Sequence, residues 1–65
     1  MERVLTRWEL SRCSRSELQS MFDQISVALA DLPEGSIERR IALINLDNIR
    51  RELTRRNMTS AATRF

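Results

Sequence analysis

Sixty-five residues and 7.6 kDa allow one small domain, with 42 % apolar and 31 % charged residues, one Gly, one Pro and a formal net charge of +2. The chain has no His and one Cys, so it lacks the residues for a zinc cluster, a Cys-His nucleophile pair or a His general base. No enzyme, cofactor or metal is expected. Folded-surface scaling leaves roughly 4,300 Å² outside a globule of this mass, against roughly 11,000 Å² for the open chain. Burial of the apolar share contributes about 100 kcal/mol, and ordering the chain costs about the same. With no internal disulfide to close, self-association is the remaining source of stability, and binding a partner protein is its functional counterpart.

The first residues, Met1-Glu2-Arg3-Val4-Leu5, lack the apolar run of a secretory signal, and the longest stretches without a charge, Gln24 to Ala30 and Asn57 to Thr63, are far short of a membrane span. A cytoplasmic location is expected, with no membrane contact, and an unpaired Cys13 agrees with a reducing compartment. Thr6-Arg7-Trp8-Glu9 has the spacing of a capping box and predicts a short helix over 6–12. Ser14-Arg15-Ser16-Glu17 is a second capping box and starts a helix over 14–31. Leu18, Met21, Phe22, Ile25, Leu29 and Leu32 recur at steps of three and four and form its single apolar face. Cys13 and Leu18 flank the cap like a hydrophobic staple, which assigns Cys13 a packing role in preference to a reactive thiol.

Leu32-Pro33-Glu34-Gly35-Ser36 breaks the pattern: Pro33 disfavours helix at Leu32, Gly35 accepts positive φ, and Ser36 is a good cap. A connection this short makes antiparallel neighbours of the helices on either side. The next helix is predicted over 36–56, with Asn57 as its stop and 58–65 as a frayed tail. At about 100° per residue its apolar positions fall into two stripes, Ile37-Ile41-Ile44 and Ala42-Leu46-Ile49-Leu53. One helix cannot cover both. Either a second chain does, giving a dimeric four-helix bundle, or the amino-terminal residues Val4, Leu5, Trp8 and Leu10 do. The expected fold is thus all-α, an antiparallel helical hairpin with a short amino-terminal helical segment, pairing as a homodimer. Its interface would involve Ile37, Ile41, Ile44, Asn45, Leu46 and Asn48. Asn45 and Asn48 fix the register of that interface or face solvent at its edge.

Trp8-Glu9-Leu10-Ser11, Ser14-Arg15-Ser16-Glu17-Leu18, Leu32-Pro33-Glu34-Gly35-Ser36 and the run from Asn45 to Leu53 resemble a group of short uncharacterised bacterial helical-hairpin proteins. The resemblance spans about residues 8 to 56. It consists of caps, a turn and a heptad-like helix, and implies a stand-alone helical protein without implying any chemistry.

All eleven cations are Arg. Genome composition explains this, or else a need for bidentate contacts to carboxylate or phosphate. Residues 1–35 hold four Arg against six acids, and residues 36–65 hold seven against three. Near the turn, Arg39 and Arg40 oppose one helix dipole and Asp31 the other, so pairing of Asp31 or Glu34 with Arg39 or Arg40 is expected. At the opposite end Arg12, Arg15, Arg50, Arg51, Arg55 and Arg56 gather around few acids. Asp47 with Arg51 and Glu52 with Arg56 have the favourable i, i+4 order of a solvated face, and the remaining charge is a candidate anion or nucleic-acid contact. The leading expectation is a non-enzymatic protein-protein interaction module, a dimeric helical regulator or adaptor. The alternative is a nucleic-acid-binding regulator that uses the arginine cluster. Few aromatics and no helix-turn-helix pattern weigh against the second.

Overall fold

A computed structural model describes the backbone of residues 3–63 and the side chains of residues 3–57. Among the described residues the protein is all-α, with three helices and no strand: α1 (Arg7–Ser11), α2 (Arg15–Leu29) and α3 (Ile37–Thr63). No helix among them is long and apolar enough to cross a membrane.

Both capping boxes form. Thr6 Oγ1 accepts the Glu9 amide at 3.1 Å while the Glu9 carboxylate accepts the Thr6 amide at 3.3 Å, and Ser14 with Glu17 repeats the pattern at 3.0 and 3.1 Å. These side chains satisfy amides that have no carbonyl within their own helix, which is why α1 forms with only five residues. Cys13 sits between the two helices, packed against the core, and its Sγ donates to the Glu9 carbonyl at 3.5 Å.

The helix over 14–31 ends two residues early, at Leu29, and Gly35 turns the chain with a φ of +79°. Ser36 Oγ then accepts the Arg39 amide at 3.1 Å and caps α3. The expected pairing of Asp31 or Glu34 with Arg39 or Arg40 is absent among the described residues. Arg39 Nη1 instead donates to the carbonyls of Leu29 and Leu32 at 3.1 and 3.2 Å. Those carbonyls lie at the negative end of the α2 dipole, where the Leu29 carbonyl already accepts the Leu32 amide at 3.2 Å and has a second lone pair for the guanidinium.

Asn57 does not stop α3, which runs on to Thr63 through most of the tail expected to fray; Arg64 and Phe65 lie outside the described residues. An Asn ends a helix by taking a left-handed conformation, and among the described residues only Gly35 has positive φ. Beyond Asn57 there is no Gly or Pro before Thr63, and Ala61 and Ala62 are strong helix formers. At 27 residues α3 is roughly 40 Å long and spans most of the 46 Å long axis of the molecule.

The core consists of Leu10, Leu18, Ile25, Ala42 and Ile49, with Leu5, Met21, Phe22, Leu29, Leu32, Leu46 and Leu53 packed around it. The Ala42-Leu46-Ile49-Leu53 stripe is therefore turned inward, against α2 and α1 of the same chain. Residues 3–5 form an arm that lies along α3. Asn45, fully buried at 0 % exposure, accepts the Leu5 amide at 2.7 Å and donates to the Arg3 carbonyl at 3.1 Å, and Asn48 donates to the Leu5 carbonyl at 3.4 Å. Asn45 does not face solvent, and Asn48 is half-buried. Asn45 is taken off the surface, because an extended backbone needs hydrogen-bond partners when it is laid against a helix. Leu5 and Leu10 turn in, whereas Val4 and Trp8 stay exposed.

Replacing Asn45 by Ala is expected to lower the unfolding free energy by about 1 to 2 kcal/mol, since two part-buried backbone groups lose their partner. Urea denaturation followed by circular dichroism measures this. Asn57→Ala, in the continuous part of α3, is expected to be neutral or slightly stabilising.

Candidate functional site

Two surfaces on α3 are not used by the fold. The first is the edge formed by Ile37 and Ile44, exposed at 75 % and 39 %, with half-buried Ile41 between them. Of the six residues predicted to form an interface, Ile37 and Ile44 are exposed, Ile41, Leu46 and Asn48 are half-buried, and Asn45 is buried.

The second surface is a groove of about 260 Å³ between α1 and α3, lined by Arg7, Leu10, Asn48, Arg51, Glu52 and Arg55. It continues over Arg50, Arg51, Thr54 and Arg55 along the outer face of α3. The sequence-predicted arginine cluster divides here according to what each guanidinium already holds. Arg50 and Arg51 meet Asp47 at 3.6 and 2.9 Å. Arg55 grips Glu52 through Nε at 3.3 Å and Nη2 at 2.6 Å. Arg56 donates through Nε to Glu52 at 2.8 Å and through Nη2 to the carbonyls of Leu10 and Ser11 at 3.1 and 3.3 Å. Arg56 is thus a structural residue that closes the carboxy-terminal end of α1, as Arg39 closes that of α2. Arg12 lies 4.9 Å above the Trp8 ring, which is itself exposed at 67 %, and Arg15 is exposed in the first turn of α2 without an ion pair among the described residues. Neither lines the groove.

Arg7 was not singled out from the sequence. It lies three residues before Leu10, so the two share a face of α1. Once Leu10 is buried against α3, Arg7 stands at the groove wall. That spacing was readable, but which way α1 would settle on α3 was not.

Electrostatics fix the carboxylates of the site. The side chain of Glu52 is 4 % exposed, and hydrogen bonds from Arg55 and then Arg56 hold it below the usual carboxylate range in spite of its burial. Glu9 is held down to about 2, chiefly by the Arg3 guanidinium, which reaches its two oxygens at 2.7 and 2.6 Å, and further by the Thr6 amide. Glu17 is lowered by the Ser14 amide.

The geometry defines a small all-α protein whose longest helix carries an apolar edge and a basic groove. A scan against protein-family models, a search of curated proteins and a search of solved structures each return no match.

A carboxylate with a depressed folded-state pKa stabilises fully above its unfolded value near ~4.3 and loses that contribution as protons bind. For Glu9 the loss runs down to about 2. The melting temperature is therefore expected to fall on acidification below about pH 5. Glu9→Gln and Glu52→Gln should each be less stable at neutral pH and show a flatter acid limb. An acid limb identical to that of the parent would assign the titration to other groups.

Proposed function

We propose that the chain is a small non-enzymatic protein-interaction module. In this reading α2 and α3 form an antiparallel hairpin, and two copies pair along α3 into a four-helix bundle, the architecture of a dimeric regulator or adaptor. The observation that carries it is the apolar edge: Ile37 and Ile44 are exposed, while five apolar residues are buried among the described ones.

A two-fold axis near Ile41 favours a second copy as the occupant. Antiparallel pairing about that point sets Ile37 of one chain against Ile44 of the other and Ile41 against itself, so one apolar stripe serves both sides. With Asn45 buried in the monomer, this interface rests on the three isoleucines together with the half-buried Leu46 and Asn48. A contribution of the arginines to nucleic-acid binding is weakened by the commitment of Arg39 and Arg56 to backbone carbonyls. The absence of His and the packed position of Cys13 support a non-enzymatic role.

Sedimentation equilibrium at micromolar concentration is expected to give a dimer. Ile44→Asp, alone or with Ile37→Asp, should shift it to monomer while the helical circular dichroism persists. A parent chain that stays monomeric up to millimolar concentration would overturn the pairing.

A further inference from the structure

We infer that charge makes the pairing along α3 antiparallel: Glu34 of each copy meets Arg50 and Arg51 of its partner, and Arg40 meets the partner's Asp47, so that ionic strength controls the pair. This rests on the self-pairing proposed above.

The exposed apolar residues of α3 are Ile37, Leu43 and Ile44. Charged residues border them along one flank. At about 100° per residue, Arg40, Leu43, Asp47, Arg50 and Arg51 fall within about 100° of one another around the helix. Glu34 joins this flank from the turn, since it lines one shallow recess with Gly35, Ser36, Arg39, Arg40 and Leu43. Arg50 and Arg51 line a second recess with Thr54 and Arg55 at the far end. Along the flank the sign alternates, negative at Glu34, positive at Arg40, negative at Asp47 and positive at Arg50 and Arg51.

These groups are not used up by the fold, as Arg39 and Arg56 are. Glu34 and Arg40 are exposed and have no ion pair among the described residues. Arg50 and Arg51 share the single carboxylate of Asp47, at 3.6 and 2.9 Å, and their side chains stay 74 % and 77 % exposed. Two guanidinium groups thus have one carboxylate between them at one end of the apolar edge, and a carboxylate stands without a bonded cation at the other.

A second copy is the occupant that this order of signs fits. A two-fold axis that reverses α3 keeps each flank on its own side, so the charged flank of one copy runs along that of the other. From Ile41, Arg51 lies roughly 15 Å along the helix in one direction, while Ile37 lies roughly 6 Å in the other with the turn beyond it. The turn of one copy therefore comes to the level of the partner's Arg50 and Arg51, and Arg40, beside the axis, comes within reach of the partner's Asp47. Parallel pairing would set Arg40 over Arg40 and Arg51 over Arg51, like against like. Exposed ion pairs contribute little singly, but the symmetry forms each of them twice.

Sedimentation equilibrium of the full chain at about 0.05 and 0.5 M salt tests this, with pairing expected to weaken about tenfold at the higher salt. An edge held by isoleucines alone would not loosen. Glu34→Arg and Arg51→Glu should each weaken self-pairing about tenfold at low salt with helical circular dichroism preserved. Mixing these two variants should restore a mixed pair, because each offers the other a matching flank. Asp23→Arg makes the same change of net charge as Glu34→Arg, on the side of α2 away from buried Leu18 and Ile25, and should leave pairing unchanged. A dimer indifferent to salt, equal weakening by Asp23→Arg and Glu34→Arg, or failure of the two variants to pair with each other would each overturn the inference and leave self-pairing standing. A parent chain that stays monomeric would overturn both.

Discussion

The amide of Leu5 and the carbonyl of Arg3 both end on the carboxamide of Asn45, which has no exposure to solvent. A buried carboxamide is tolerated only with its donors and acceptors satisfied, and an extended arm is tolerated against a helix only when its peptide groups find partners. Each requirement is met by the other. With the arm seated, Leu5 and Leu10 reach the core, α1 settles on α3, and Arg56 finds the Leu10 and Ser11 carbonyls at the end of α1. Without it, the face of α3 that carries Asn45 and Glu52 would meet water with two polar groups shaped for burial.

Arginine does work in this fold that lysine would do poorly. Arg39 spans two carbonyls at the end of α2, and Arg56 spans a carboxylate and two carbonyls at the end of α1. One planar group with several fixed donors answers several acceptors at once, where an ammonium offers a point charge on a flexible stem. Neither α1 nor α2 has a basic residue in its own last turn, so these two side chains of α3 supply from outside the positive charge that the helix ends lack. A cluster that reads as one basic patch thus includes an arginine, Arg56, that holds the fold through backbone carbonyls.

The outward face of α3 changes character along its length. Ile37, Ile41 and Ile44 are followed by Asn48, Arg51 and Arg55 at the same three- and four-residue steps. Both surfaces therefore share one rigid helix and one side of it.

By itself the sequence determined what local rules control. The two capping boxes, the Gly35 turn, the Ser36 cap, the apolar face of α2 and the salt bridges of Asp47 and Glu52 with the arginines that follow all depend on residues within four positions of one another. The all-α class follows from the same short-range periodicity. Tertiary structure decided what depends on distant partners: that Asn45 serves the arm of its own chain across forty residues, that Arg39 and Arg56 serve carbonyls in preference to acids, that Arg7 joins the groove, and that α3 continues past Asn57. A hydrogen bond needs a partner in space, and periodicity gives the facing of a side chain without naming what stands opposite. The two-stripe pattern of α3 was legible as a surplus of apolar surface, but only packing could settle which stripe the chain covers for itself and which it leaves open.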